Sequence, residues 1–459
     1  MQTLPLLQCL KNPIFARLYF AQAINLIGDA LTWLGLALLA FELVGERAGL
    51  ILSGALTLRV LAFVVLSPIA GAIADRVDRK RIMLVTHLAR MIIVCLFPFV
   101  TQAWQIYAIV LALNVFYAFF TPTYTATIPL VTNQDEYQSA IALSSATYQL
   151  LGVLGPGLAG GVAAFVGIRQ VFFLDGITFL IAAILIVTLP GQLMVNQNQQ
   201  NVRTINGTLQ DISTGTFCLF ADPLIRYALA MQLGTAIAGA AILVNTVGYV
   251  QGTLHLGKIE YGWAMAAFGM GATLASVGLG NFNQKIKYTL IIGLGAVLIA
   301  LALLPANWVN LSILLLLWSV AGIGQTLVNV PTQALIADRV AVEVQGRVYG
   351  AHFAWSHLWW AFSYPLAGWM GSHLPRHHFF YSSLISFVIL ISVHLTLKSQ
   401  KQFNFDRGQW HEHEHSHDEQ HQHNYLPHIN IQKSHSHLHF HEYNLVQSSN
   451  SNSADIKVD

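Results

Sequence analysis

Apolar residues fill this chain in long runs with no alternation between apolar and polar positions, as in LSILLLLW from Leu311 to Trp318. A half-buried strand would alternate, and outer-membrane barrels do so throughout. Membrane-crossing helices fit the pattern instead, because a hydrocarbon core about 30 Å thick takes about 20 apolar residues per helix. Such blocks fall at 14–44, 48–74, 82–101, 104–130, 137–166 and 170–190, then at 224–252, 259–281, 288–305, 308–336, 348–373 and 378–397. The pattern predicts an all-α membrane protein with twelve transmembrane helices in two sets of six. A polar connector rich in Asn and Gln separates the sets. The chain thus divides into a first six-helix bundle at 1–191, a cytoplasmic linker at 192–222, a second bundle at 223–402 and a polar tail at 403–459.

The two sets read as copies of one unit. PTYTATIPLV begins at Pro122 and PTQALIADRV at Pro331, and each is followed 34 residues later by another proline, Pro156 in GPGLAG and Pro365 in YPLAG. Equal spacing in the same direction implies parallel repeats.

Composition agrees with the membrane reading: 10% of residues are charged and 55% hydrophobic, where soluble chains carry about 25% charged residues. The net charge of +2 says little about partners, and nucleic acid is not among those expected. Its distribution says more. Fifteen Lys and Arg residues fall in segments on the side of the N-terminus, with Arg76, Arg79, Lys80 and Arg81 crowding one loop, while the opposite loops hold four, Arg47, Arg169, Lys258 and Arg376. Lys and Arg accumulate on the cytoplasmic side, which predicts cytoplasmic N- and C-termini in a cell inner membrane. Cys9, Cys95 and Cys218 stand far apart and imply neither a disulfide framework nor a zinc knuckle. LLQC at the start lacks the basic segment and the apolar length of a signal peptide, so an uncleaved N-terminus is expected.

Between the second and third blocks lies GAIADRVDRKRIML, residues 71–84. Gly71 permits close helix approach, and Asp75 can pair with Arg76, Arg79 or Lys80 to latch the loop in one conformation, biasing a two-state equilibrium. The segment resembles the signature of the major facilitator superfamily, G-x-L-A-D-R-x-G-R-K, with Asp78 standing where that signature has glycine. That departure resembles the branch of exporters related to macrolide and siderophore efflux pumps, and it raises a question about the turn geometry. GVLGPGLAGG, residues 152–161, is similar to the antiporter motif of proton-coupled exporters, through Gly155, Pro156, Gly157 and Gly160. Three residues rather than two precede the Gly160-Gly161 pair, and small residues line helix contacts in any bundle. The resemblance implies the major facilitator fold, with two parallel six-helix repeats around a midplane site, and transport driven by a gradient. No G-x-x-x-x-G-K-[ST] loop occurs for ATP, and neither an enzyme nor a required cofactor is expected.

Ionisable and polar residues within the apolar blocks are the candidate site, because such groups are costly in a membrane. Gln22, Asn25 and Asp29 are three and four apart, hence on one helical face. Asp29 is either a cation or proton site or half of a structural ion pair with Arg59. Asn114 and Tyr117, His87 and Arg90, and Gln325 with Asn329 are further candidates. His352 and His357 are five apart and point in different directions, so they make poor chelating partners.

The tail contains eleven of the nineteen histidines: His411, His413, His415, His417, His421, His423, His428, His435, His437, His439 and His441. A composition this polar is expected to be disordered. The H-x-H spacing suits nickel, copper, zinc or cobalt, with Glu412, Glu414, Asp418 and Glu419 as neighbouring oxygen donors; a pH-responsive or merely solubilising role stays open. A facilitator with such a tail resembles the bacterial nickel-resistance exporters. That resemblance implies efflux of nickel, or cobalt, by proton antiport, with the tail capturing the ion and no protein partner required. The alternative is an exporter of macrolide-like or siderophore-like organic molecules whose tail buffers metal. A membrane-anchored metal sensor is a third reading.

Overall fold

A computed structural model describes residues 5–74, 77–191, 193, 205–280, 288–340, 342–398, 408–415 and 435–442. The helices are α1 (Pro13–Val44), α2 (Ala48–Ala74), α3 (Arg79–Val94), α4 (Ala103–Val131), α5 (Gln134–Val166), α6 (Gln170–Val187), α7 (Ile205–Ala221), α8 (Pro223–Gly248), α9 (Lys258–Gly280), α10 (Tyr288–Leu303), α11 (Leu311–Arg339), α12 (Val342–His373) and α13 (His378–Lys398). Each apolar block holds one helix, and α7 forms inside the linker, where no helix was expected. Its Thr216 hydroxyl accepts from the Trp355 indole at 3.3 Å, and Phe220 meets the same ring edge-on. Among the described residues nine stretches are long and apolar enough to cross a membrane, the first covering α1 and most of α2.

The repeat extends over the whole bundle. Helices α3, α4, α5 and α6 begin at residues 79, 103, 134 and 170, and α10, α11, α12 and α13 begin 209, 208, 208 and 208 residues later. Each half starts in the same way. Asn12 caps α1, its side chain accepting from Ile14 and Phe15 N–H, and Pro13 follows at the first helical position. Asp222 caps α8 through Leu224 and Ile225 N–H, and Pro223 follows. Proline suits this place because its missing donor has no partner there anyway. Each cap also ties its helix to the end of the fourth helix of its half. Asn12 donates to the Val131 carbonyl at 2.8 Å, and Arg339 Nε donates to Asp222 Oδ2 at 2.6 Å.

Gly71 lies in the last turn of α2, and Asp75 and Arg76 lie outside the described residues. The question raised by Asp78 is resolved: its side chain caps α3 through Lys80 N–H and also accepts from Leu193 N–H at 3.1 Å. Aspartate there replaces a flexible turn with a bonded one. Arg79 donates to the Ala126 carbonyl at 2.6 Å and Lys80 to the Leu189 carbonyl at 2.5 Å. Both cations therefore brace α3 against the ends of α4 and α6 in their own half.

Packing differs between the two ends of the molecule. At the lower end, where α1 and α8 begin, each half has its own core. One gathers Phe15, Leu18, Met83, Tyr124 and Ile186, and the other Ile225, Leu229, Ile292, Leu335 and Val348. Toward the upper end, where α1 turns into α2, a single core crosses the halves, joining Leu38, Leu39 and Leu52 to Ala238, Ile242, Met265 and Trp318. Gly160 of α5 and Gly262 of α9 meet backbone to backbone there: a Cβ on Gly160 would stand 2.5 Å from the Gly262 Cα. The halves are thus closed on each other above and packed separately below.

In the tail, β1 (Gly408–His415) and β2 (His435–Glu442) pair as an antiparallel ladder, and β1 lies beside α11 and α12. This corrects the expectation of disorder over those segments. The H-x-H alternation is itself a period of two, the period of a strand, and two such segments can satisfy each other's backbone groups. The remainder of the tail lies outside the described residues.

Candidate functional site

The polar face of α1 leads into a small cavity within the first half. It is lined by Asp29, Thr32 and Trp33 of α1, Arg59 of α2, Arg90 of α3, Asn114 and Tyr117 of α4, and Asp175 and Phe179 of α6. About 20 Å³ is open to the centres of water-sized molecules, room for about one water. Residues 29, 32, 33 and 36 follow one another on a single helical face, which continues the stripe begun by Gln22 and Asn25.

Two carboxylates and two guanidiniums meet here in different ways. Arg90 Nη2 donates to Asp29 Oδ1 at 2.5 Å and Nη1 to Asn25 Oδ1 at 3.3 Å, while the guanidinium lies 4.2 Å over Phe179 and 5.1 Å over Tyr117. Of the two alternatives for Asp29 the ion pair is present, but its partner is Arg90 and not Arg59. Arg59 is held by rings instead, 4.7 Å over Trp33 and 5.8 Å over Tyr117, and among the described residues its guanidinium has no hydrogen-bond acceptor. The geometric cause is position: Arg90 approaches α1 beside both Asn25 and Asp29, where its fork is filled twice. Asp175 accepts from Thr32 at 2.5 Å and from Thr178 at 2.9 Å. Gly28 makes that approach possible, because a Cβ there would collide with Thr178 and Asp175.

The other candidates stand apart from the cavity or on its margin. Asn114 lines it but donates to the Val110 carbonyl of its own helix at 2.8 Å. Gln22 Oε1 and the Nδ2 of the fully buried Asn25 have no partner among the described residues, and neither has either ring nitrogen of His87, which is closed in by Phe120 and Phe179. Gln325 and Asn329 lie on α11 and do not line the cavity; Gln325 Oε1 is likewise buried without a partner. His352 meets Gln232 at 2.9 Å and Gln333 at 3.4 Å, and His357 stacks on Phe353. Gly155 fits closely against Ala30 and Gly160 against Gly262, which is the small-residue packing any bundle uses. Pro156 and Gly157 are described only as part of the α5 backbone.

Asp175 escaped the sequence reading, although it is the single acidic residue in the apolar block 170–190, and that isolation was the available signal. Trp33 gave no signal, since an aromatic in an apolar run is unremarkable until its face is seen to hold a cation. Trp33 also packs against the apolar cluster that Trp360 and Tyr364 join at the junction of the halves.

In the tail, the strand register sets His411 opposite His439, His413 opposite His437 and His415 opposite His435, with His441 opposite Gln409. His417, His421, His423 and His428 lie outside the described residues. Among the described residues no group of three or more His, Cys, Asp or Glu is arranged to hold a metal ion.

Two parallel helical halves of a multi-pass membrane bundle, joined at one end and with buried charges inside the first, define a membrane transporter. The chain belongs to the Major Facilitator Superfamily, which it matches over residues 18–246 and 228–415. It is 26% identical over 361 residues to the uncharacterized MFS-type transporter YfiS of Bacillus subtilis, covering 74% of this chain and 84% of that one. It is 22% identical over 352 residues to macrolide efflux protein A of Streptococcus pyogenes, covering 73% and 84%. A bacterial homolog of the human lysosomal transporter Spinster, in an inward-facing and occupied conformation, shares the fold with a TM-score of 0.63 at 14% identity, over 86% of this chain and 97% of that one.

Proposed function

We propose that this transporter exports amphipathic organic molecules across a cell inner membrane by alternating access, with protons as the coupling ion. The observation that carries the reading is the cavity of the first half, where aromatic rings of Trp33, Tyr117 and Phe179 surround two guanidiniums and two carboxylates. In this state the cavity has room for about one water; once the halves part and it widens, the rings would supply apolar area to an organic body and the few polar groups would orient it. Similarity to a macrolide efflux protein supports the same cargo class.

The Lys and Arg distribution supports cytoplasmic termini, so the lower end faces the cytoplasm. The separate lower cores and the shared upper core then correspond to a state closed toward the outside, with Gly160 and Gly262 in the outer contact. Rocking of the halves would open that contact and close the lower one, with Asp75, Arg79 and Lys80 as the gate. The Asp29–Arg90 pair is the place where a proton can be exchanged: protonating Asp29 would release Arg90 from half of its fork.

Nickel or cobalt as cargo has weaker support. A hydrated dication gains nothing from Arg59 and Arg90, and cation export needs several donors converging at one point. The second reading keeps metal for the tail, and the facing histidine pairs of its ladder favour it. There the tail captures nickel or another divalent ion without the ion being the cargo. Full-length protein in vesicles with an imposed pH step tests both readings. Accumulation of aromatic dyes that depends on the gradient is expected, along with nickel binding that vanishes when residues 403–459 are deleted. Nickel accumulation without dye accumulation would overturn the first reading.

A further inference from the structure

We infer that Arg59 is the group that recognises the cargo, and that the cargo carries a carboxylate or similar anionic head on a flat apolar body. The inference rests on the organic-exporter reading and names the substrate class of that same site.

The four charges of the cavity are not equivalent. Arg90 gives one donor to Asp29 at 2.5 Å and a second to Asn25, although its buried Nε–H has no partner among the described residues. Asp175 is satisfied by two threonine hydroxyls. Arg59 alone among these four has no hydrogen-bonding partner among the described residues, yet it lines the cavity beside them. Guanidinium donors lie in the plane of the group, so a ring beneath its face leaves the donor edge unused. Trp33 at 4.7 Å and Tyr117 at 5.8 Å therefore fix Arg59 without occupying its N–H groups.

A cation kept half-buried in low dielectric with an empty donor edge is costly unless something completes it. A carboxylate completes it best, because its two oxygens match the fork in a bidentate bond. Trp33 also packs against the apolar cluster that Trp360 and Tyr364 of the second half join, so parting of the halves there would bare a flat apolar surface next to the charged head. A cationic cargo would meet the opposite situation. It would have to displace Arg59 from its rings, with both carboxylates already taken.

The experiment uses purified full-length protein in detergent and two fluorescent probes with one body and opposite heads, pyrenebutyrate and a pyrenebutyl ammonium. Fluorescence titration gives the affinity for each, and melting curves identify variants that fold. The wild type is expected to bind the carboxylate at least about tenfold more tightly than the ammonium. Arg59→Gln should lose that preference, with ammonium binding unchanged or improved, and Arg59→Lys should retain part of it, since a point charge replaces a fork. Equal binding of both probes by the wild type, tighter binding of the ammonium, no binding of either, or a folded Arg59→Gln protein that keeps the preference would each overturn the inference. Gradient-driven transport of dyes of any charge is measured separately in vesicles. If it persists while the carboxylate preference is missing, the assignment of Arg59 fails and the exporter reading stands.

Discussion

Breaking the Asp29–Arg90 pair from one side strands a charge in a site where Arg90 is only 4% exposed. Losing one partner of a buried pair costs about 3–5 kcal/mol, whereas removing both is far cheaper. Arg90→Met should therefore lower the melting temperature of the purified protein clearly, and the Asp29→Asn, Arg90→Met double variant should recover part of the loss; a double variant no more stable than Arg90→Met would deny that the two act as a pair. The Asp78 cap gives a smaller effect. Asp78→Ala removes acceptors for Lys80 and Leu193 N–H and should cost about 1 kcal/mol, read as a modest fall in melting temperature that Asp78→Asn largely avoids. Cys218 lies in α7, where burial, with the charge of Asp222 adding, pushes its thiol up to about 12. A raised pKa keeps the thiol protonated through neutral and mildly alkaline pH, and only the thiolate reacts. N-ethylmaleimide at pH 8 should spare Cys218 in the folded protein and label it after denaturation, as peptide mass spectrometry would show. At this scale the sequence exposed the charged residues but not their partners. Asp29 was visible as a carboxylate in an apolar run, yet the choice between Arg59 and Arg90 depends on how α2 and α3 approach α1, which no local spacing encodes.

The helices themselves were largely legible, because continuous apolar runs interrupted by short polar breaks have few other solutions in a bilayer. Block 137–166 became α5 and block 348–373 became α12 with their C-terminal limits unchanged. Helix α7 was missed since its polar connector carries no sustained apolar run, and the ladder of β1 and β2 was missed since a histidine alternation reads as ligand spacing before it reads as a strand. At the upper contact of α5 with α9, Gly160→Leu should prevent the halves from closing, because the added side chain would enter the backbone of Gly262. Gradient-driven dye transport should fall to background while the protein still extracts and elutes as a folded species. Normal transport by that variant would remove the contact from the working cycle.

Over the whole molecule the two halves share a topology but not a chemistry. Their helices recur 208–209 residues apart, yet the cavity with Asp29, Arg59, Arg90 and Asp175 lies in the first half, while aromatic residues such as Phe353, Trp360 and Tyr364 face that half from the second. The duplication could be read from Pro122 and Pro331, but the asymmetry of the site could not, because it depends on which faces of α1, α3 and α6 turn inward. In the proposed cycle one half binds and exchanges a proton while the other moves over it, with the upper core as the contact that breaks. The proposed cycle does not involve the histidine tail, so deleting residues 403–459 should leave dye export intact. The most direct test of the account is uptake into vesicles holding the full-length protein under an imposed pH step, comparing a panel of anionic, neutral and cationic aromatic dyes with nickel, for the wild type and Asp29→Asn. The account predicts dye accumulation that follows the pH step and is lost in Asp29→Asn, with no nickel accumulation in either. Nickel accumulation that follows the pH step, or dye accumulation unaffected by Asp29→Asn, would contradict it.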